Sequence, residues 1–162
     1  MYTLHKPARK RFPTRATLTA GPLHQFQADL NDLIPFKKDN RGFQYILTVF
    51  SREAFAYPLK DKSGESVAKA FQHLFKQGKK PMSIQTDQGK EFFNSKVTQL
   101  LKKHNVHLFA VKSQYKAALV ERFNRTFKTR MFRYFTHIGK HRWFDVLDKF
   151  IDSYNNTPHL CA

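Results

Sequence analysis

Residues 82–93 read MSIQTDQGKEFF, a short apolar segment that runs directly into an acidic turn containing a glycine. The first five residues have the length and composition of a buried strand, and Asp87 stands at the turn that follows. Further along, residues 106–111 form a second segment of strand character. Between the two strand segments, the apolar residues Val97, Leu100 and Leu101 recur at helical spacing, which predicts a helix. Strand, helix and strand in this order predict part of an α/β domain.

Three more segments of strand character precede this stretch, at residues 24–30, 43–50 and 53–59. Turn-forming residues separate the first two segments, and a very short connection separates the second from the third. This pattern predicts an antiparallel meander. A helix is expected next, because apolar side chains recur at helical spacing between Ser63 and Gly78.

Two long helical segments close the chain, at residues 117–135 and 141–155, with Gly139 between them. The first has an apolar face made of Val120, Phe123, Phe127, Met131 and Tyr134. A meander followed by alternating helices and strands predicts an α/β domain with a mixed five-stranded sheet and flanking helices.

The composition indicates a globular protein with a polyanionic partner. The chain has 29 Lys and Arg against 12 Asp and Glu, a formal net charge of +17, and 41% of its 162 residues are hydrophobic. That apolar content is enough for one core and too high for a disordered basic tail. We expect a basic arm at residues 1–22, which either contacts phosphates or is a solvated linker, and a folded body at residues 23–160.

Cysteine usage and hydropathy exclude several classes of protein. Cys161 is the single cysteine, which excludes an intramolecular disulfide and a Cys/Cys zinc site within the chain. No apolar run reaches the roughly 18 residues of a membrane span, and the N-terminal residues lack the apolar region of a signal peptide. We expect an intracellular protein with no membrane segment.

Three carboxylates stand where the predicted elements begin or end. Asp29, in FQADL, lies near the end of the first strand, and Asp87 follows the fourth strand. Glu121, in ALVERFNRTFK, lies in the first turns of the helix after the fifth strand. If the first and fourth strands are neighbours, the two aspartates converge, and a helix packed across that edge can bring the glutamate to them. Sequence spacing alone does not establish that adjacency.

Clustered carboxylates suggest a metal site. Two like charges about 4 Å apart repel by roughly 4 kcal/mol at an effective dielectric constant near 20, so such a cluster is unfavourable without a cation. Mg²⁺ and Mn²⁺ prefer oxygen ligands and are bound through a few carboxylates together with substrate phosphate. Two such ions about 4 Å apart can activate a hydroxyl on one side of a phosphodiester and stabilise the leaving oxygen on the other.

The helix that carries Glu121 also carries two cations on the same face. At 100° per residue, Glu121, Arg125 and Lys128 lie one above the other, opposite the apolar face. This face has two interpretations. Either the two cations bind a polyanion beside a functional carboxylate, or the three residues form an ordinary solvated ion-pair face, which would stabilise the helix by about 0.2–0.5 kcal/mol per pair.

Four segments together resemble the catalytic core of retroviral-type integrases. They are FQADL, TDQGKEFFN, VERFNRTFK and YNNTPH, and the likeness runs from about Gln25 to His159, most strongly to integrases of Polinton (Maverick) DNA transposons. That family has an RNase H-like fold and a D, D, E triad whose last two members are about 35 residues apart. The spacing between Asp87 and Glu121 is 121 − 87 = 34.

The resemblance implies a triad of Asp29, Asp87 and Glu121, with Asp32 as the alternative first member. It implies that the triad holds two Mg²⁺ or Mn²⁺ ions, that water frees a 3′-hydroxyl at the end of the element, and that this hydroxyl attacks target DNA. The DNA contacts that carry over are Arg125, Lys128 and, more weakly, Asn124.

The resemblance also implies partners and a location. The partners are double-stranded DNA, as element ends and target, and further copies of the chain in a homodimer or higher multimer. No organic cofactor is implied, and a chromosomal substrate implies action in the nucleus. Full-length integrases have a zinc-binding domain and a C-terminal DNA or chromatin module, and we expect neither within these residues.

Two other functions fit the same residues. The domain could be a metal-dependent nuclease of the RNase H-like class that cuts without joining, or a basic DNA-binding scaffold without catalysis. Acids at all three positions favour catalysis, because a scaffold has no physical need to keep carboxylates that repel one another.

Three further features have two interpretations each. Glu91 is either an additional metal ligand or a solvated or capping residue, and either Asn94 or Ser95 caps the next helix. Trp143 begins an apolar stripe on the last helix that is either core or part of a dimer surface.

Overall fold

The computed structural model describes residue 21, residues 23–110 and residues 118–157. The predicted basic arm before residue 21, residues 111–117 and Cys161 lie outside the described residues. Within the described residues, no helix combines the length and the apolar character needed to cross a membrane.

Within the residues that the structure describes, five strands form one mixed sheet, as predicted. The strand order is β3-β2-β1-β4-β5; β1, β2 and β3 pair antiparallel, and β4 and β5 run parallel to β1. The strands are β1 (Gln25–Asp32), β2 (Tyr45–Phe50), β3 (Ala54–Leu59), β4 (Ser83–Thr86) and β5 (His107–Ala110). The first and fourth strands are therefore neighbours at the centre of the sheet.

In the described part of the chain, four α-helices flank the sheet, and two 3₁₀ helices lie in the connections from β1 to β2 and from α3 to α4. The α-helices are α1 (Gly64–Lys76), α2 (Ser95–Lys103), α3 (Ala118–Ile138) and α4 (Leu147–Asn155). The 3₁₀ helices are Ile34–Asn40, inside the segment predicted as a turn-rich connection, and Phe144–Val146.

The last predicted helix begins later than expected, and buried Asn40 gives the reason. Its Oδ1 accepts hydrogen bonds from the backbone N–H groups of Trp143 (2.7 Å) and Phe144 (3.0 Å), while its Nδ2 donates to the His141 carbonyl. The backbone at residues 141–144 is thus held by a side chain from another element instead of by helical hydrogen bonds.

The two faces of the sheet bury separate apolar cores, which gives three layers. One core joins the sheet to α1 and α2 through residues such as Phe26, Leu47 and Phe71. The other joins it to α3 and α4 through Phe123, Met131, Trp143 and their neighbours. The predicted apolar face of α3 is confirmed: four of its five members are buried and Tyr134 is partly buried. Because Trp143 is fully buried, its side chain belongs to the core.

The face of β1 toward α3 is polar where an apolar face would be usual. Side chains alternate along a strand, so Phe26 and Ala28 enter the first core while Gln25, Gln27, Asp29 and Asn31 share the opposite face. The site forms on this polar strip.

Candidate active site

Asp29 lies in the central strand and is partly buried. Its Oδ1 accepts the N–H of Leu30 at 2.9 Å, and its Oδ2 accepts a hydrogen bond from Asn124 Nδ2 at 2.7 Å. Both oxygens are therefore oriented, one by its own strand and one by α3.

Asp87 is the first residue after β4, as predicted. Because β4 pairs parallel to β1 with Gln85 opposite Gln27, continuing the register by two residues sets Asp87 opposite Asp29. Asp87 Oδ1 accepts the N–H of Gly89 at 3.0 Å, which closes the turn predicted at this glycine.

The pKa of Asp29 reflects its closeness to Asp87 and to Lys128. Burial raises the pKa of the Asp29 carboxyl above its ordinary value, although the Leu30 N–H acts to lower it. The negative charge of Asp87 raises the Asp29 pKa further, while the Lys128 charge and the Asn124 hydrogen bond lower it. The Asp29 carboxyl group thus interacts electrostatically with both the Asp87 carboxylate and the Lys128 side chain on α3.

Glu121 lies in the first turn of α3 with its side chain exposed. The start of that helix is fixed to β1 by Gln27, whose buried Oε1 accepts the N–H groups of Leu119 at 3.0 Å and Val120 at 3.1 Å. Two helix N–H groups that lack a partner within the helix are satisfied in this way. The residue after them, Glu121, is therefore held near the strand that carries Asp29.

Asn124 is the centre of a buried polar network that links α3 to two strands. The side chain is 5% exposed, and besides donating to Asp29 its Oδ1 accepts from Thr48 Oγ1 at 2.8 Å and Asn31 Nδ2 at 3.1 Å. The sequence predicts Asn124, with less support than Arg125 and Lys128, as a DNA contact. In the structure its side chain is buried and faces the polar network instead. It orients the Asp29 carboxylate.

Gln27, Asn31 and Thr48 are not among the residues predicted from the sequence. A signal for two of them exists, because polar residues alternate at positions 25, 27, 29 and 31 of a central strand. An alternating polar face in a strand surrounded by helices predicts buried polar contacts.

The other predicted site residues occupy separate places. Arg125 is exposed and Lys128 partly exposed on α3. Asp32, the alternative first carboxylate, is exposed and accepts the N–H of Ile34 at 2.9 Å, so it orders the following turn. Asn94, not Ser95, caps α2, accepting the Val97 N–H at 3.0 Å.

Within the part of the chain that the structure describes, no three His, Cys, Asp or Glu side chains lie close enough to hold one metal ion. The structure brings Asp29 and Asp87 together and places Glu121 at the start of the adjoining helix, without closing the three into one cluster. The donor set nevertheless fits a hard divalent cation. Two repelling carboxylates, one with a raised pKa, are what such an ion would stabilise.

The sequence matches the family model described as the integrase core domain over residues 21–114, more than half of the chain. It is 46% identical over 126 residues to an uncharacterised transposon-derived protein of Caenorhabditis elegans; the match covers 75% of this chain and 44% of that protein. The chain thus spans less than half the length of this relative.

Solved structures share the fold at low sequence identity. A chain of the simian T-cell lymphotropic virus intasome superposes with a TM-score of 0.77 at 17% identity, covering 96% of this chain and 57% of that chain. The catalytic core domain of HTLV-2 integrase, in complex with magnesium and in a dimeric form, gives 0.69 at 16% identity, covering 87% and 91%. That of BIV integrase gives 0.68 at 17% identity, covering 85% and 86%. The predicted RNase H-like fold is confirmed.

Proposed function

Because this chain belongs to the integrase core domain family, we propose that it is the catalytic core of a DNA integrase, a metal-dependent polynucleotidyl transferase that processes 3′ ends and joins them to target DNA. The observation that carries the proposal is the convergence of Asp29, within β1, and Asp87, at the end of the neighbouring strand β4, beside the fixed start of the helix that bears Glu121.

Each carboxylate has a role in this proposal. Asp29, Asp87 and Glu121 would hold the divalent ions. Mg²⁺ or Mn²⁺ bound there would activate the attacking oxygen and stabilise the leaving oxygen. Asn124 and the Leu30 N–H orient the Asp29 oxygens and, like the Lys128 charge, favour the ionised form that binds a cation.

The chemistry balances without an external energy source. In end processing, the oxygen of water forms a bond to phosphorus as the bond from phosphorus to the 3′-oxygen of the element strand breaks. In joining, that 3′-hydroxyl forms the new phosphorus–oxygen bond and a target-strand 3′-oxygen leaves. The attacking group loses one proton and the leaving oxygen gains one at each step.

The charge distribution supports DNA as the substrate. The chain carries +17, and exposed Arg125 and partly exposed Lys128 follow Glu121 on α3, where they can contact the phosphates of an element end.

The setting of the reaction is part of the same proposal. The sequence likeness supports a Polinton/Maverick element as the source, and the match to a transposon-derived protein of Caenorhabditis elegans supports a mobile element in general. Residues 23–160 would form the core and residues 1–22 the basic arm. A homodimer or higher multimer is supported by the dimeric form of the HTLV-2 core. Chromosomal DNA as the target would place the reaction in the nucleus.

A product assay on a labelled linear element end tests this function. With Mn²⁺ or Mg²⁺ and a second duplex as target, we expect a shortened element strand and, in addition, strands longer than the substrate. Glu65→Gln, which changes an exposed carboxylate on α1, is the control and should leave both products in place. Shortened strands alone would show a nuclease, and DNA binding without either product would show a scaffold.

A further inference from the structure

A row of amide side chains lies beside the carboxylates, on the face of the sheet that packs against α3. Gln27 of β1 stands opposite Gln85 of β4 in the parallel register. Continuing that register by two residues sets Asp29 opposite Asp87, and side chains two residues apart share one face of a strand. The amide pair therefore lies one step, about 6.6 Å at about 3.3 Å per residue, before the carboxylate pair.

A single oxygen atom joins these amides. Gln85 Oε1 accepts hydrogen bonds from Nε2 of Gln25 at 2.8 Å and from Nε2 of Gln27 at 3.2 Å. Gln27 and Gln85 are buried, with 4% and 7% of their surface exposed. Because both residues are buried, losing the bond between them would leave a polar group without a partner, which is unfavourable.

The contacts of Gln27 are directional, because an amide has a donor end and an acceptor end. The donor end of Gln27 faces Gln85. Its acceptor end faces α3, where Oε1 accepts the N–H groups of Leu119 and Val120. The reverse orientation would set the Gln27 oxygen against the Gln85 oxygen and its NH₂ group against two N–H donors. The Gln85 oxygen thus favours the orientation of Gln27 that holds the helix.

Gln85 connects two elements of the candidate active site. It lies two residues before Asp87, on the strand that positions that carboxylate. Through Gln27 it acts on the start of α3, where Glu121 directly follows Val120. The position of Glu121 relative to Asp87 therefore depends on an uncharged side chain within the sheet.

We propose that Gln85 is a positioning residue of the active site, whose Oε1 orients the Gln27 amide so that the start of α3 holds Glu121 near Asp29 and Asp87. The inference rests on the proposed function, since it assigns to Gln85 the placement of the third carboxylate. The chain of hydrogen bonds from Gln85 through Gln27 to the first N–H groups of α3 is called the amide relay below.

Amide hydrogen exchange in metal-free buffer tests the amide relay without any catalysis. Gln85→Met keeps the length of the side chain but removes the acceptor oxygen. Exchange at Leu119 and Val120 should therefore become about tenfold faster. Exchange at Val97, whose N–H is bonded to the Asn94 side chain at the start of α2, should not change.

Two further variants serve as controls. Gln85→Glu retains an acceptor oxygen and should restore the slow exchange at the start of α3. Gln99→Met makes the same substitution as Gln85→Met at an exposed position of α2 and should leave the exchange of α3 unchanged.

A double variant tests whether Gln85 acts through Gln27. In Gln27→Leu the anchor of α3 is already lost, so adding Gln85→Met should not speed exchange at Leu119 and Val120 any further. Additive effects of the two substitutions would overturn the inference.

Activity measured against the Mn²⁺ concentration connects the amide relay to the carboxylates. Gln85→Met should need about tenfold more Mn²⁺ than the wild type for half-maximal joining, because residues that orient metal ligands affect metal affinity on this scale. Its affinity for duplex DNA in EDTA should be unchanged, since the relay lies inside the protein.

Melting curves establish that each variant folds. If Gln85→Met does not fold, Gln85→Asn, which draws the amide back by one methylene group, should show the same faster exchange to a smaller degree. Unchanged exchange at Leu119 and Val120 in the folded variant would overturn the inference, as would faster exchange that extends equally to Val97. Failure of the proposed function would appear differently, as faster exchange in Gln85→Met together with no joined product from the wild type at any Mn²⁺ concentration.

Discussion

Replacing Asn124 by alanine should destabilise the fold and disturb Asp29 without altering an exposed surface. The side chain is buried and donates to the Asp29 carboxylate at 2.7 Å. A hydrogen bond to a charged group contributes about 1.5–3 kcal/mol. Thr48 and Asn31, whose bonds to Asn124 Oδ1 are also lost, still bond to each other. We therefore expect a loss of about 2–4 kcal/mol in the free energy of unfolding.

Thermal unfolding in metal-free buffer at pH 7 measures the effect. At about 2–4 °C per kcal/mol for a chain of this size, a loss of about 2–4 kcal/mol means that Asn124→Ala should lower Tm by about 4–16 °C. Arg122→Ala, on the exposed face of the same helix, is the control and should move Tm by no more than about 2 °C.

A second variant separates electrostatics from packing. Asn124→Asp keeps the size of the side chain but sets a carboxylate against Asp29, so its Tm should fall further below wild type at pH 7 than at pH 4, where a protonated carboxyl can donate. A Tm of Asn124→Ala within about 1 °C of wild type, with no pH dependence in Asn124→Asp, would refute the role assigned to the network.

Three further outcomes follow from the same geometry. Mg²⁺ should raise the Tm of the wild type and not that of Asp87→Asn, because the ion binds only the folded site; equal shifts would contradict the site. The folded-state pKa of Asp29 is raised above the ordinary aspartate value of about 3.8, so the unfolding free energy should fall as pH rises from that value through the raised pKa. Asp29→Asn should lack this part of the urea-measured profile, and parallel profiles would contradict it. Gln27→Leu should speed amide hydrogen exchange at Leu119 and Val120 and cost about 2 kcal/mol or more, and unchanged exchange would exclude the helix anchor.

Local patterns in the sequence predict the elements of this fold well. The alternation of strand and helix, the apolar face of α3 and a cap at Asn94 or Ser95 all depend on residues near one another in the chain. The position of Asp87 at a strand end is predictable for the same reason.

Long-range contacts are what the sequence could not provide. The pairing of β1 with β4, which joins Asp29 to Asp87, links segments that are far apart in the chain. Asn40 holds residues 141–144 out of an α-helix through contacts that span about a hundred residues. Asn124 presents the same difficulty: its neighbours on α3 suggest a surface residue, and only the packed helix shows that it faces the polar strip of β1.

The most direct test of the account is joining activity on branched DNA that mimics the product of strand transfer. The reverse reaction releases the element strand and reseals the labelled target strand. Wild type with Mn²⁺ should yield the resealed strand, and Asp87→Asn and Glu121→Gln should bind the DNA normally and yield none. Resealing by either variant at the rate of the wild type would contradict the assignment of Asp87 and Glu121 to the reaction.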